Sequence, residues 1–240
     1  MKTVLLTAAS LFLLVNFGCA QQGGSISAQT QTTQWEQYYK SYPRFQELTD
    51  KLKTQKDLLI LVDKTHALPD NYRPEKLVTV KTEFDTRTFK VTPQTAAALK
   101  KLMADAKKEK IKLYPISAYR TFEYQKKLYE NSKKKNGLAH AERYSARPGR
   151  SQHNLGTAVD FNDVEVRFGN TIEYQWLKKN AGKYGFSISY PEGQEDITGY
   201  AYEPWHFRYI GKDAVELQDT FFNGSQQKML EFLNEQVFNN

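Results

Sequence analysis

The sequence predicts an α+β protein, a single compact domain with a small, mostly antiparallel sheet flanked by helices. Three observations lead there. Helical and strand-length segments mix along the chain without the regular strand–helix–strand alternation of a doubly wound sheet. The 240 residues, 40% apolar and 13% aromatic, are enough for one domain with a real core. No internal repeat divides the chain into stacked units.

In chain order, residues 1–20 read as an export signal. Lys2 supplies the positive end, and Val4 to Val15 form an apolar stretch too short to span a bilayer comfortably. Gly18 and Ala20 fit an ordinary signal-peptidase site, whereas Cys19 fits a lipidated N-terminal cysteine that anchors the chain to a membrane. Both routes stay open. Cys19 is the only cysteine, so no intramolecular disulfide is expected. Residues 21–56 read as a polar tether, QQGGSISAQTQTTQ, followed by an amphipathic linker helix from Trp35 to about Lys56.

The folded domain is placed at 57–211. LLILVDK is an apolar run of strand length, and HALPDNYRPEKLV, with prolines at 69 and 74, is a surface loop. Thr92 caps a helix that Pro93 opens, and Leu99, Leu102, Met103 and Ala106 mark its buried face. Tyr114 to Ala118 read as a strand. A second helix runs from Phe122 to Lys135 and stops at Asn136-Gly137. Residues 138–156 are expected to be a loop, and 157–161 a short strand. Asn170 and Glu173 suggest a capped third helix ending near Tyr184-Gly185. Phe186 to Tyr190 and Glu203 to Ile210 complete the strands. Residues 212–240 form a helical extension.

The residues that carry chemistry lie in SQHNLGTAVD, 151–160, and EPWH, 203–206. Two imidazoles and a carboxylate, with one position left open for water, suit a catalytic zinc ion; His153, Asp160 and His206 supply that set. Glu203 is then a spare carboxylate able to act as general base. Strand alternation turns Asp160 away from Val159 and Phe161, and turns His206 and Arg208 away from Trp205, Phe207 and Tyr209. Glu203 precedes a proline, so a local bend is needed to bring it to the same ion as His206. His66 and His140 are read as surface or structural residues, and Trp205 as a packing residue that fixes His206.

These segments resemble the signature of the VanY-type D-alanyl-D-alanine carboxypeptidases. The resemblance extends to LVDKTHALPDNYRP, SAYRTFEYQ, the Trp176 helix ending KYGF, and ITGYAYEPWHFRYIG, and covers about residues 57–211. Asp63 is a small departure, where relatives often carry Asn. The resemblance implies a Hedgehog/DD-peptidase-like fold, one Zn2+ per chain on His153, Asp160 and His206, and Glu203 as catalytic base. It also implies that Arg120 holds the substrate or steadies the oxyanion, and that Gln125 and Ser151 bond the substrate's C-terminal residue. A guanidinium grips a carboxylate in two places, which suits Arg120. Ser117 and Ser145 are weaker candidates.

The expected activity is removal of C-terminal D-alanine from peptidoglycan stem peptides through a water that zinc makes acidic and Glu203 deprotonates. D,D- and L,D-cleavage both stay open. The alternatives are an endopeptidase with the same zinc site and a non-catalytic cell-wall-binding module. The formal charge of +7 suits an anionic envelope. Lys and Arg are scattered rather than clustered, so nucleic acid is not an expected partner. The mature protein is expected to be extracytoplasmic and monomeric.

Overall fold

The computed structural model describes residues 41–81 and 87–239; the export signal, the tether and the start of the linker helix lie outside them. Helix α1 is Pro43–Leu52, opened by a proline, and a 3-10 turn extends it over Lys53–Gln55. A hairpin of β1 (Val78–Lys81) and β2 (Thr88–Val91) pairs Val78 with Val91. Helix α2 (Pro93–Lys108) follows directly. The Thr92 hydroxyl accepts from Thr95 N–H, so cap and proline work as the sequence reading expects. The remaining strands are β3 (Pro115–Ser117), β4 (Ala158–Phe161), β5 (Phe186–Ile188) and β6 (His206–Tyr209). They form an antiparallel sheet in the order β3-β4-β6-β5.

Helices α3 (Phe122–Asn136), α4 (Leu138–Tyr144), α5 (Ile172–Asn180) and α6 (Glu195–Thr198) occupy the connections. Helices α7 (Lys212–Phe221) and α8 (Gln226–Phe232) follow the sheet. Among the described residues no helix is long and apolar enough to cross a membrane.

One face of the sheet is dry. Val159 and Phe161 of β4 and Phe207 of β6 pack with Leu99, Leu102 and Ala106 of α2 and with Trp176 and Leu177 of α5. Alternation therefore sends Asp160 and His206 to the other face, and antiparallel register sets them directly opposite each other. A second cluster joins the two ends of the described chain. Phe45, Leu48 and Leu52 of α1 meet Leu217 and Phe221 of α7 and Met229, Leu230 and Phe232 of α8, with Ile210 at the junction. Phe45 lies edge-on to Phe221 at 5.0 Å between ring centroids.

Four expectations need correction. The run at 58–64 is not a strand. Its Leu58 and Ile60 carbonyls accept instead from the buried Arg208 guanidinium at 3.0 and 2.9 Å, so these two groups are satisfied without a neighbouring strand. Part of the expected loop, Leu138–Tyr144, is helical, because Gly137 at φ +86° lets the chain turn and restart at once. The third helix is capped by Thr171, whose hydroxyl accepts from Tyr174 N–H, and not by Asn170. The last strand begins at His206 rather than Glu203, since residues 203–206 make a turn in which His206 N–H bonds Glu203 C=O.

Candidate metal centre

His153 sits in a 3-10 turn, Gln152–Leu155, that ends at Gly156. Gly156 takes φ +71°, a left-handed backbone that L side chains rarely adopt, so a larger residue would strain the turn. Two residues later β4 begins, which carries Asp160 alongside β6 and His206. One ligand atom from each of His153, Asp160 and His206 lies within 4.8 Å of the others, and all three side chains are buried.

Hydrogen bonds choose which ring nitrogen faces inward. His153 Nδ1 donates to the Ala118 carbonyl at 2.7 Å, which leaves Nε2 toward Asp160 Oδ2 at 3.2 Å. His206 places Nδ1 3.0 Å from Asp160 Oδ1, while its Nε2 donates to Gln152 Oε1 at 3.1 Å. Both outer nitrogens are thus used as donors, and both inner nitrogens offer lone pairs to one point. That is the orienting shell a zinc site needs. Burial foremost, with Arg120 adding to it, pushes His153 down to about 4, so its ring is neutral and ready to ligate. Burial pushes the Asp160 carboxyl up, but His153, His206 and Arg120 outweigh it and hold it well below the usual range. Two ring nitrogens and one carboxylate oxygen fit zinc with a position left open.

The turn at 203–206 supplies the bend that strand alternation alone forbids. Glu203 Oε2 lies 3.7 Å from His206 Nδ1, beside the ligand cluster and not bonded within it. Among the described residues the Glu203 carboxylate makes no side-chain hydrogen bond. Burial, reinforced by Asp160, pushes it up to about 8, against the pull of Arg120. Arg120 reaches the same place from the end of β3. Its Nη2 lies 2.8 Å from Asp160 Oδ2, and Nε and Nη2 donate to Ser117 Oγ.

Gln125 and Ser151 stand close by with their groups already engaged. Gln125 accepts from Arg120 Nη1 at 3.4 Å and donates to the Ala146 carbonyl at 2.8 Å. Ser151 Oγ accepts from His153 N–H. Ser117 steadies Arg120, whereas Ser145 ends α4 through its backbone. His66 pairs with Asp63, and His140 stacks on Tyr144, both away from the cluster. Trp205 packs on the core side and its carbonyl accepts from Phe161 N–H. Sequence reading missed Gln152 as a partner of His206 and Tyr190, whose ring centroid lies 4.9 Å from that of His206. Gln152 falls inside the SQH segment, and only its position between two named residues could have flagged it.

A family model described as VanY, D-alanyl-D-alanine carboxypeptidase, matches residues 88–212. The chain belongs to the VanY family. It is 34% identical to YodJ of Bacillus subtilis over 247 residues, spanning 89% of this chain and 90% of the relative. The solved LdcB LD-carboxypeptidase shares 37% identity and superposes with a TM-score of 0.65, over 71% of this chain and 84% of that one. The vancomycin-resistance D,D-pentapeptidase VanY, solved as a mutant with Zn(II), shares 29% identity at a TM-score of 0.61, over 72% and 99%. This VanY-family member is a zinc-dependent peptidase whose zinc site is His153, Asp160 and His206.

Proposed function

We propose that this VanY-family peptidase is an extracytoplasmic carboxypeptidase that releases D-alanine from the C-terminus of peptidoglycan stem peptides. One observation carries the reading: a mostly shielded carboxylate with no side-chain hydrogen bond, Glu203, lies beside the three zinc ligands, in the field of a guanidinium, Arg120. Zinc in such a site supplies Lewis acidity and makes water acidic near neutral pH.

The protein's own residues do the rest. Glu203 takes a proton from the attacking water and later returns it to the leaving amine. Arg120 is one-fifth exposed and offers its guanidinium to the substrate's free carboxylate or to the oxyanion. Gln125 and Ser151 meet the terminal residue of the substrate or hold the groups that do. The leader at 1–20 supports export, with Cys19 as a lipid anchor or removed with the signal. The catalytic domain is placed at 57–211, with α1 and the α7–α8 pair packed onto it, and with one zinc per monomer.

Mass spectrometry of products from defined tripeptide, tetrapeptide and pentapeptide stems tests the activity. Loss of one D-alanine from the pentapeptide identifies D,D-cleavage, and loss from the tetrapeptide identifies L,D-cleavage. Cleavage only inside the stem would replace the carboxypeptidase reading with an endopeptidase. No cleavage of any stem by the zinc-loaded protein would leave a binding module.

A further inference from the structure

We propose that Gln226, on the C-terminal helix α8, is a positioning residue for the zinc ligand His206, acting through Gln152. This rests on the zinc site described above, and it extends that site beyond residue 212, where the family match ends.

The argument is one of hydrogen-bond direction. The Ser187 carbonyl can only accept, and it faces Gln226 Nε2 at 3.5 Å. Gln226 is buried, so its amide is turned with the nitrogen toward that carbonyl and Oε1 the other way. Gln226 Oε1 in turn can only accept, and it faces Gln152 Nε2 at 3.4 Å. That contact turns the buried Gln152 amide so that its Oε1 meets His206 Nε2 at 3.1 Å. An amide oxygen there admits only the ring form with hydrogen on Nε2, and the inward Nδ1 then keeps its lone pair for the metal. If Gln152 were reversed, its NH2 would face Nε2, and hydrogen on Nδ1 would block ligation. Ser189 Oγ reinforces the direction by donating its one proton to Gln152 Oε1 at 2.7 Å, in preference to Gln226 Oε1 at 3.2 Å.

Every link is buried, and every link runs one way, from a backbone carbonyl of β5 through two amides to the ring. The relay also gives α8 a reason to be docked beside the sheet. Its neighbour Gln227 points elsewhere, to Asp63 Oδ2 at 2.7 Å and to Glu231. The same helix turn therefore holds one glutamine that touches the relay and one that does not.

The test compares Gln226→Met with Gln227→Met in the full chain. Both remove one buried amide from α8. Zinc affinity is read by competition with a chromophoric chelator, and ligand geometry by the visible absorption of the Co(II)-substituted protein. In the zinc-loaded protein, the His206 Nε2–H proton is followed by NMR. Gln226→Met should weaken zinc binding about tenfold to a hundredfold, shift the Co(II) spectrum and speed solvent exchange of the Nε2 proton. Gln227→Met should leave all three within error of wild type. Ser189→Ala removes only a hydroxyl and keeps the proposal testable if Gln226→Met does not fold. It should weaken zinc binding in the same direction by about threefold to tenfold. Wild-type zinc affinity, spectrum and exchange in Gln226→Met would overturn the relay, as would wild-type affinity in Ser189→Ala if Gln226→Met is insoluble. Equal losses in Gln226→Met and Gln227→Met would reduce Gln226 to a general stability role. Failure of the wild type itself to bind zinc would sink the zinc reading instead, so the two failures are distinct.

Discussion

Replacing Glu203 with Gln separates the general base from the metal site. Glu203 Oε2 is 3.7 Å from His206 Nδ1 and bonds none of the ligands, so zinc should remain at wild-type occupancy. Turnover of a stem peptide should fall about a hundredfold to ten-thousandfold, the usual cost of losing a general base. The same change has a second signature in the zinc-free protein. Folding lifts the Glu203 carboxyl from 4.5 to about 8, chiefly by burial. Its ionised form therefore opposes folding: that cost begins as pH rises above 4.5 and levels off only above about 8. At pH 7 the chain has crossed ~2.5 pH units of that window, which at roughly 1.4 kcal/mol per unit amounts to about 3 kcal/mol. Glu203→Gln removes the cost. The zinc-free variant should accordingly be more stable than zinc-free wild type at pH 7, by up to that amount, and the two should converge near pH 4. Denaturant melts at pH 4, 7 and 8, with zinc chelated, measure the difference. Turnover within tenfold of wild type would remove Glu203 from the chemistry. A pH-independent difference in stability would refute its buried, uncompensated environment.

Four further outcomes are expected. His206→Ala should lose zinc, measured by metal analysis after gel filtration, because only one imidazole and one carboxylate remain. Arg120→Ala should keep zinc yet lose much of the wild type's preference for a free C-terminal acid over an amidated stem peptide; an unchanged preference would leave Arg120 an oxyanion or structural residue. Asp63 is pushed up by burial, but bonds from His66, Thr65 and Gln227 outweigh this and hold it at about 2. Its stabilisation is present above about pH 4 and lost as pH falls toward 2, so the advantage of wild type over Asp63→Ala in acid melts should shrink across that window. Phe45→Ala should cost about 3–5 kcal/mol in denaturant melts, since its ring is fully buried among α7 and α8; a change below 1 kcal/mol on the order-of-magnitude scale for surface sites would mean that α1 is not part of the folded unit.

Local chemistry in the chain determined much of this protein. The Thr92-Pro93 start of α2 is a short-range signal, and its side-chain bond forms within one turn. Alternation in AVDF and HFRY was enough to put Asp160 and His206 on the face away from the core, because side-chain direction in a strand has period two. The chemical types of His153, Asp160, His206 and Glu203 were legible because two imidazoles, a carboxylate and a spare carboxylate suit a catalytic zinc site. The tertiary structure decided what depends on partners distant in sequence. Register across β4 and β6 brought Asp160 opposite His206, and the turn at 203–206 brought Glu203 to them. Leu58 to Lys64 reads as a strand by its apolar side chains, yet its carbonyls are met by Arg208, about 150 positions away. The amphipathic pattern of α1 shows that it needs a partner but not which one; only packing shows that the partner is the C-terminal pair α7 and α8. The roles of Gln152 and Gln226 are not written in the sequence, because an amide's direction is set by the groups around it in space and not by its neighbours along the chain.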